Sequence, residues 1–125
     1  MLTNILSVAL GGAIGSVMRY LTNLGVMRAV GPGFPWATLA VNGVGAFVMG
    51  VLVELLAQRG GQRFAPLLMT GLLGGFTTFS AFSLDTVTLW ERGQPELALA
   101  YVGASILLSL AAIVLAMHLL RGAFA

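Results

Sequence analysis

Polar and apolar positions divide this chain into four long apolar blocks, at about 4–27, 36–57, 65–90 and 96–120. A bilayer-crossing α-helix needs roughly 20 mostly apolar residues, so each block predicts one span. The separators are chain-breaking or polar: Gly31-Pro32-Gly33-Phe34-Pro35 after the first, Gln58-Arg59-Gly60-Gly61-Gln62-Arg63 after the second, and Gln94-Pro95-Glu96 before the fourth. The prediction is an all-α membrane protein, with residues 1–125 forming a single four-helix transmembrane domain.

Composition supports a bilayer setting and removes several chemistries. The chain of 125 residues is 58% hydrophobic and 8% charged, where soluble domains carry about 25% charged residues. With no cysteine and one histidine, His118, it has no thiolate chemistry, Cys-type metal site or Ser-His-Asp triad. No nucleophile–base pair stands out, so an enzyme is not expected. The net charge of +2 rests on scattered arginines, which is no nucleic-acid patch. No basic n-region precedes the apolar stretch from Ile5 to Met18, and Arg19-Tyr20 follows it where a cleavage site would need small residues. A multi-pass protein of a bacterial cell inner membrane is expected.

The arginines are balanced between the two sides. Arg59, Arg63 and Arg121 fall on one side; Arg28 and Arg92 fall on the other, joined by Arg19 if it snorkels that way. Such a distribution gives almost no positive-inside bias. It leaves open a single orientation set by an N-terminal signal, or dual topology with copies inserted both ways up. Trp36 and Trp90 lie at the same end, as interfacial aromatics do. Glycines at four-residue spacing (Gly11 and Gly15, Gly71 and Gly75) let helix backbones approach closely, which favours association in lipid.

The third block carries an irregular stretch, Gly71 to Ser83. Gly74-Gly75 is followed by Thr77-Thr78 with Phe79, Ser80, Phe82 and Ser83, a weak helix former at mid-bilayer depth. A broken helix would expose carbonyls that can hold a cation; a continuous helix with back-bonded hydroxyls is the alternative. Composition leaves both open. Other neutral donors lie at matching depths: Thr38 and Asn42 on the second span, and Tyr101, Ser105 and Ser109 on the fourth. They could bond between helices, or as a row replace the hydration shell of a small anion. Phe79 and Phe82 share a face where helix resumes; they are either ordinary apolar packing or ring edges for an anion. Arg19, Glu54 and Asp85 are the ionisable groups within spans. No span has a carboxylate at its centre.

On these residues the chain resembles the Fluc (CrcB) family of fluoride ion channels. The matching pieces are GGAIGSVMRY (11–20), TLAVNGVGAF (38–47) and GLLGGFTTFSAFS (71–83), in the family's order and spacing along the whole chain. Ala81 stands where the pattern leads one to expect threonine. The resemblance implies an antiparallel dual-topology homodimer whose third helix is broken near its middle, with two fluoride pores lined by both subunits. It implies that Asn42 donates its amide to the ion and that Phe79 and Phe82 form an aromatic box. Thr38, Tyr101, Ser105 and Ser109 would line the polar side, and Arg19 would draw anions into a vestibule. A structural Na+ at the dimer interface would be held by backbone carbonyls of Gly74 and Thr77. The expected partners are the fluoride ion, membrane lipid and a second copy of the chain, with no nucleic acid.

Two other readings compete. A small multidrug-resistance transporter also has four short spans, but resemblance to that family would require a glutamate in the first span, where none occurs. A non-transporting membrane assembly subunit would need the glycine stripes but no aligned polar rows.

Overall fold

The computed structural model describes residues 1–124, and the elements among them are all helical. They are α1 (Leu2–Val30), α2 (Trp36–Arg59), a 3-10 turn (Gln62–Phe64), a π-helix (Pro66–Leu73), α3 (Gly74–Phe76), α4 (Phe79–Glu91) and α5 (Pro95–Phe124). Four helical stretches are long and apolar enough to cross a membrane, with the pieces from Gln62 to Glu91 forming the third. Between 11% and 33% of the most apolar part of each is buried inside the chain. The remaining apolar surface, Leu107 and Leu10 among it, faces outward. A single copy of this chain is therefore suited to lipid or to another helix, and not to water.

The helices overrun the apolar blocks. Hydrogen bonding continues past the predicted ends at 27 and 57, so α1 reaches Val30 and α2 reaches Arg59. Both end against glycine (Gly31, φ 74°; Gly60, φ 80°), a backbone state open to glycine without cost from a Cβ. The α5 helix starts at Pro95, whose missing N–H costs nothing in the first turn.

Glycine sets the two closest helix contacts. The first joins α1 to the opening half of the third span. A Cβ on Gly11 or Gly15 would run into the Leu67 or Leu72 carbonyl oxygen, and one on Gly75 would lie 2.6 Å from the Gly12 carbonyl oxygen. The second joins α2 to α5, where a Cβ on Gly50 would sit 2.7 Å from the Ile113 carbonyl oxygen. Backbone therefore meets backbone along α1, as expected where dispersion and not hydrophobicity holds helices together.

The third span is irregular throughout. Pro66 opens a π-helix of 8 residues, far longer than the usual single-turn π-bulge. After Gly74, Gly75 and Phe76 return to α geometry, Thr77 (φ −85°, ψ 159°) and Thr78 (φ −153°, ψ 121°) are extended. The paired glycines do not end the helix; it runs one residue further. Thr78 then caps α4, its Oγ1 accepting from Ala81 N–H at 3.1 Å, as a threonine N-cap does.

A small core lies toward the end carrying Trp36 and Trp90. Leu39, Leu89, Ala98 and Tyr101 are buried there against Phe34, Phe82 and Ala104. Tyr101 is fully buried. Its ring meets Phe34 edge-on at 5.5 Å and Phe82 at 5.2 Å.

Candidate functional site

The extended Thr77–Thr78 pair is gripped from α2. Thr78 N–H donates to Asn42 Oδ1 at 2.8 Å, and Asn42 Nδ2 donates to the Thr78 carbonyl at 3.0 Å. An N–H can only donate, so the oxygen of the Asn42 amide must face it; the geometry fixes which way the amide points. One Nδ2–H bond is used this way, and the second remains for another acceptor. The family resemblance led to the expectation that Asn42 donates to an ion; the bonds the structure shows are to the Thr78 backbone.

That clamp changes the carbonyls around it. Thr78 N–H would bond the Gly74 carbonyl in a continuous helix, but it donates to Asn42 instead. Ala81 N–H would bond the Thr77 carbonyl, but it donates to Thr78 Oγ1. The Gly74 and Thr77 carbonyls thus lose their helical donors, as carbonyls at a helix C-terminus do. The Gly75 carbonyl accepts from Arg19 Nε at 3.0 Å. Gly74 is exposed on the surface of the chain. Among the described residues no three His, Cys, Asp or Glu side chains gather to hold a metal. Free carbonyls at an unwound turn are oxygen donors of the kind that suit a hard monovalent cation.

Against this turn lies an open groove of about 450 Å³, between α2, the start of α4 and α5. Asn42, Thr77, Phe79, Phe82, Ser105 and Ser109 all line it. The rings of Phe79 and Phe82 are 5.5 Å apart at an interplanar angle of 53°, and Phe79 is 78% exposed. Ser105 Oγ is buried and makes no hydrogen bond of good geometry. The Tyr101 hydroxyl, one turn earlier on α5, is its polar neighbour. Every polar side chain just named is neutral. In a low-dielectric setting such donors can take over part of the hydration of a small anion without trapping it as a fixed cation would.

Three expected residues fall outside the lining. Thr38 is buried one turn before Asn42 on α2. Tyr101 lies behind Phe82, and its Oη donates to Asp85 Oδ2 at 3.1 Å. Arg19 is on α1 and reaches only the Gly75 carbonyl among the bonds above.

Sequence reading missed Thr78, whose cap and clamp both act at the interruption. A threonine directly before a restarting helix was the available signal. It also left Glu54 and Asp85 without roles. Glu54, buried, accepts from Arg121 Nε at 2.6 Å and takes a longer contact from Gln58. Asp85 is the partner of Tyr101.

Four apolar helices of membrane-crossing length make this a multi-pass membrane protein. The family described as CrcB-like protein, Camphor Resistance (CrcB), matches residues 6–117, and the chain belongs to it. It is 62% identical over 122 residues to the Fluoride-specific ion channel FluC of Cereibacter sphaeroides, covering 98% of both chains. It is 58% identical to the protein of that name from Paracoccus denitrificans, covering 96% of both. A third, from Ruegeria sp., is 54% identical over 98% of both.

Proposed function

We propose that this chain is a passive, fluoride-selective ion channel, not an enzyme, and that it exports cytoplasmic fluoride across a bacterial inner membrane. The observation that carries the reading is the groove, where amide and hydroxyl donors from α2 and α5 face two phenyl rings from the start of α4. Fluoride is small and strongly hydrated, so it gives up water only to dense donors. The free Nδ2–H of Asn42 and the Ser105 and Ser109 hydroxyls supply them. Phenyl rings are positive at the edge, so the Phe79–Phe82 pair offers edges where side-chain donors are lacking. No nucleotide motif or proton-exchanging carboxylate is needed. Hydrogen fluoride enters cells as a neutral weak acid and dissociates, and the anion then leaves down the membrane potential.

The working unit in this proposal is an antiparallel, dual-topology homodimer with two pores. The balanced arginines and the outward apolar surface support it. The extended Thr77–Thr78 pair is then the break near the middle of the third helix. The Gly74 and Thr77 carbonyls of both copies would hold a structural sodium ion at the interface, which when bound supplies positive charge that ties the two half-helix ends together. Thr38 and Tyr101 extend the polar side of the path, and Arg19 stands near its vestibule. The ion pair of Glu54 with Arg121 weighs against a drug–proton exchanger, which needs an uncommitted carboxylate.

Expression in a bacterium lacking its own fluoride exporter tests the activity. Restored growth in fluoride is expected, and unchanged sensitivity with the protein present in the membrane would contradict it. For the assembly, single cysteines added at 58–63 should label from both membrane faces; labelling from one face alone would exclude dual topology.

A further inference from the structure

The α3 helix ends in carbonyls without downstream donors, and a side chain from another element takes one of them. Arg19 Nε donates to the Gly75 carbonyl at 3.0 Å, joining residues 56 apart in sequence. The bond crosses the tightest seam in the molecule, where a Cβ on Gly75 would lie 3.1 Å from Ser16 N as well as against Gly12. A helix C-terminus carries roughly half a negative charge, so a guanidinium N–H there makes a charge-assisted bond, roughly twice as strong as a neutral one. Three residues further on, Asn42 of α2 grips Thr78. The interruption is thus anchored at both ends, by α1 before it and by α2 after it.

We propose that Arg19 is a positioning residue for the interruption: through the Gly75 carbonyl it holds the free Gly74 and Thr77 carbonyls in register with the Asn42 clamp. This rests on the channel reading above and goes beyond it, because attraction of anions to a vestibule requires only positive charge. The tether requires an N–H donor at a set reach. Glutamine carries its amide nitrogen on Cδ, the same number of bonds from the backbone as Arg19 Nε, and is neutral. Lysine keeps the charge but places its nitrogen one bond further out. Methionine has neither charge nor donor.

The test uses purified full-length Arg19→Gln, Arg19→Lys and Arg19→Met in liposomes. Fluoride efflux is followed at low and saturating fluoride and at low and high ionic strength. Thermal melting of each dimer is measured with sodium and with potassium alone. Arg19→Met should lower maximal efflux by roughly tenfold or more, the scale of a hydrogen bond to a charged group, at both ionic strengths. Arg19→Gln should recover to within about threefold of wild type and exceed Arg19→Lys, the order expected if donor reach and not charge decides. The sodium-dependent gain in melting temperature should shrink in Arg19→Met and return in Arg19→Gln. If Arg19→Met does not fold, the order of Gln and Lys still decides. Lysine outperforming glutamine, with a gap that closes at high salt, would overturn the proposal in favour of simple attraction. Wild-type efflux in all three variants would overturn it also. Wild-type liposomes that release no fluoride would instead contradict the channel reading, which keeps the two failures distinct.

Discussion

Replacing Asn42 with aspartate changes one NH2 group to oxygen, with almost no change in volume and two calculable effects. The first is local. Asn42 Nδ2 donates to the Thr78 carbonyl at 3.0 Å, and Asn42→Asp sets a carboxylate oxygen against that carbonyl. Losing the bond and opposing two acceptors costs about 1–3 kcal/mol. The bond from Thr78 N–H to Oδ1 survives, so half of the clamp persists. The second effect is on the path. A carboxylate about 4 Å from an anion, at an effective dielectric near 20, repels it by about 4 kcal/mol. At about 1.4 kcal/mol per tenfold, anion occupancy beside residue 42 falls on the order of a thousandfold. The assay is fluoride efflux from liposomes, with size-exclusion chromatography to show that the dimer forms. Efflux from the assembled Asn42→Asp dimer should fall to the leak rate. Efflux within tenfold of wild type would remove Asn42 from the pore and refute this reasoning.

Phe82→Ile takes away the ring between Phe79 and Tyr101 and should abolish fluoride efflux while the dimer persists; undiminished efflux would sink the aromatic-box assignment. Gly75→Ala drives a methyl to 2.6 Å from the Gly12 carbonyl oxygen. It should lower the melting temperature clearly, with overpacking of this kind costing about 1–3 kcal/mol. Gly25→Ala, where a Cβ meets nothing within 4 Å, is the control and should be neutral or slightly stabilising. Glu54→Gln breaks an ion pair whose Arg121 side chain is 61% exposed, so screening should hold the loss of stability to about 1 kcal/mol and efflux should be unchanged. Loss of transport in Glu54→Gln would return the exchanger reading to consideration.

The four spans were legible because bilayer thickness demands a run of apolar residues that the sequence shows directly. Their ends were not, because a helix with satisfied hydrogen bonds continues past its apolar part, as α1 does through Arg28 to Val30. The irregular stretch at Gly71–Ser83 was legible from its paired glycines and hydroxyls, but its register was not. Gly75 serves close contact with α1 and stays helical. What stops the helix is the Asn42 amide, 36 residues away, capturing the Thr78 N–H. That is a tertiary bond with no local signature. The π-helix from Pro66 likewise has no sequence period of its own. Among candidate site residues, type and depth singled out Asn42, Phe79, Phe82, Ser105 and Ser109 but left packing open as their role, and the family resemblance alone assigned them to an ion path; in the structure they line one groove. The partners of Asp85 and Glu54 lie 16 and 67 residues away, on α5, where no spacing rule connects them.

The central claim is passive conduction of fluoride through the groove of the assembled chain. Its most direct measurement loads liposomes containing the purified protein with potassium fluoride, adds valinomycin to carry the potassium, and reads released fluoride with an electrode beside a potassium chloride control. Rapid release of fluoride with little release of chloride is the predicted result. A folded, reconstituted dimer that releases no fluoride, or that releases chloride equally fast, would contradict the account.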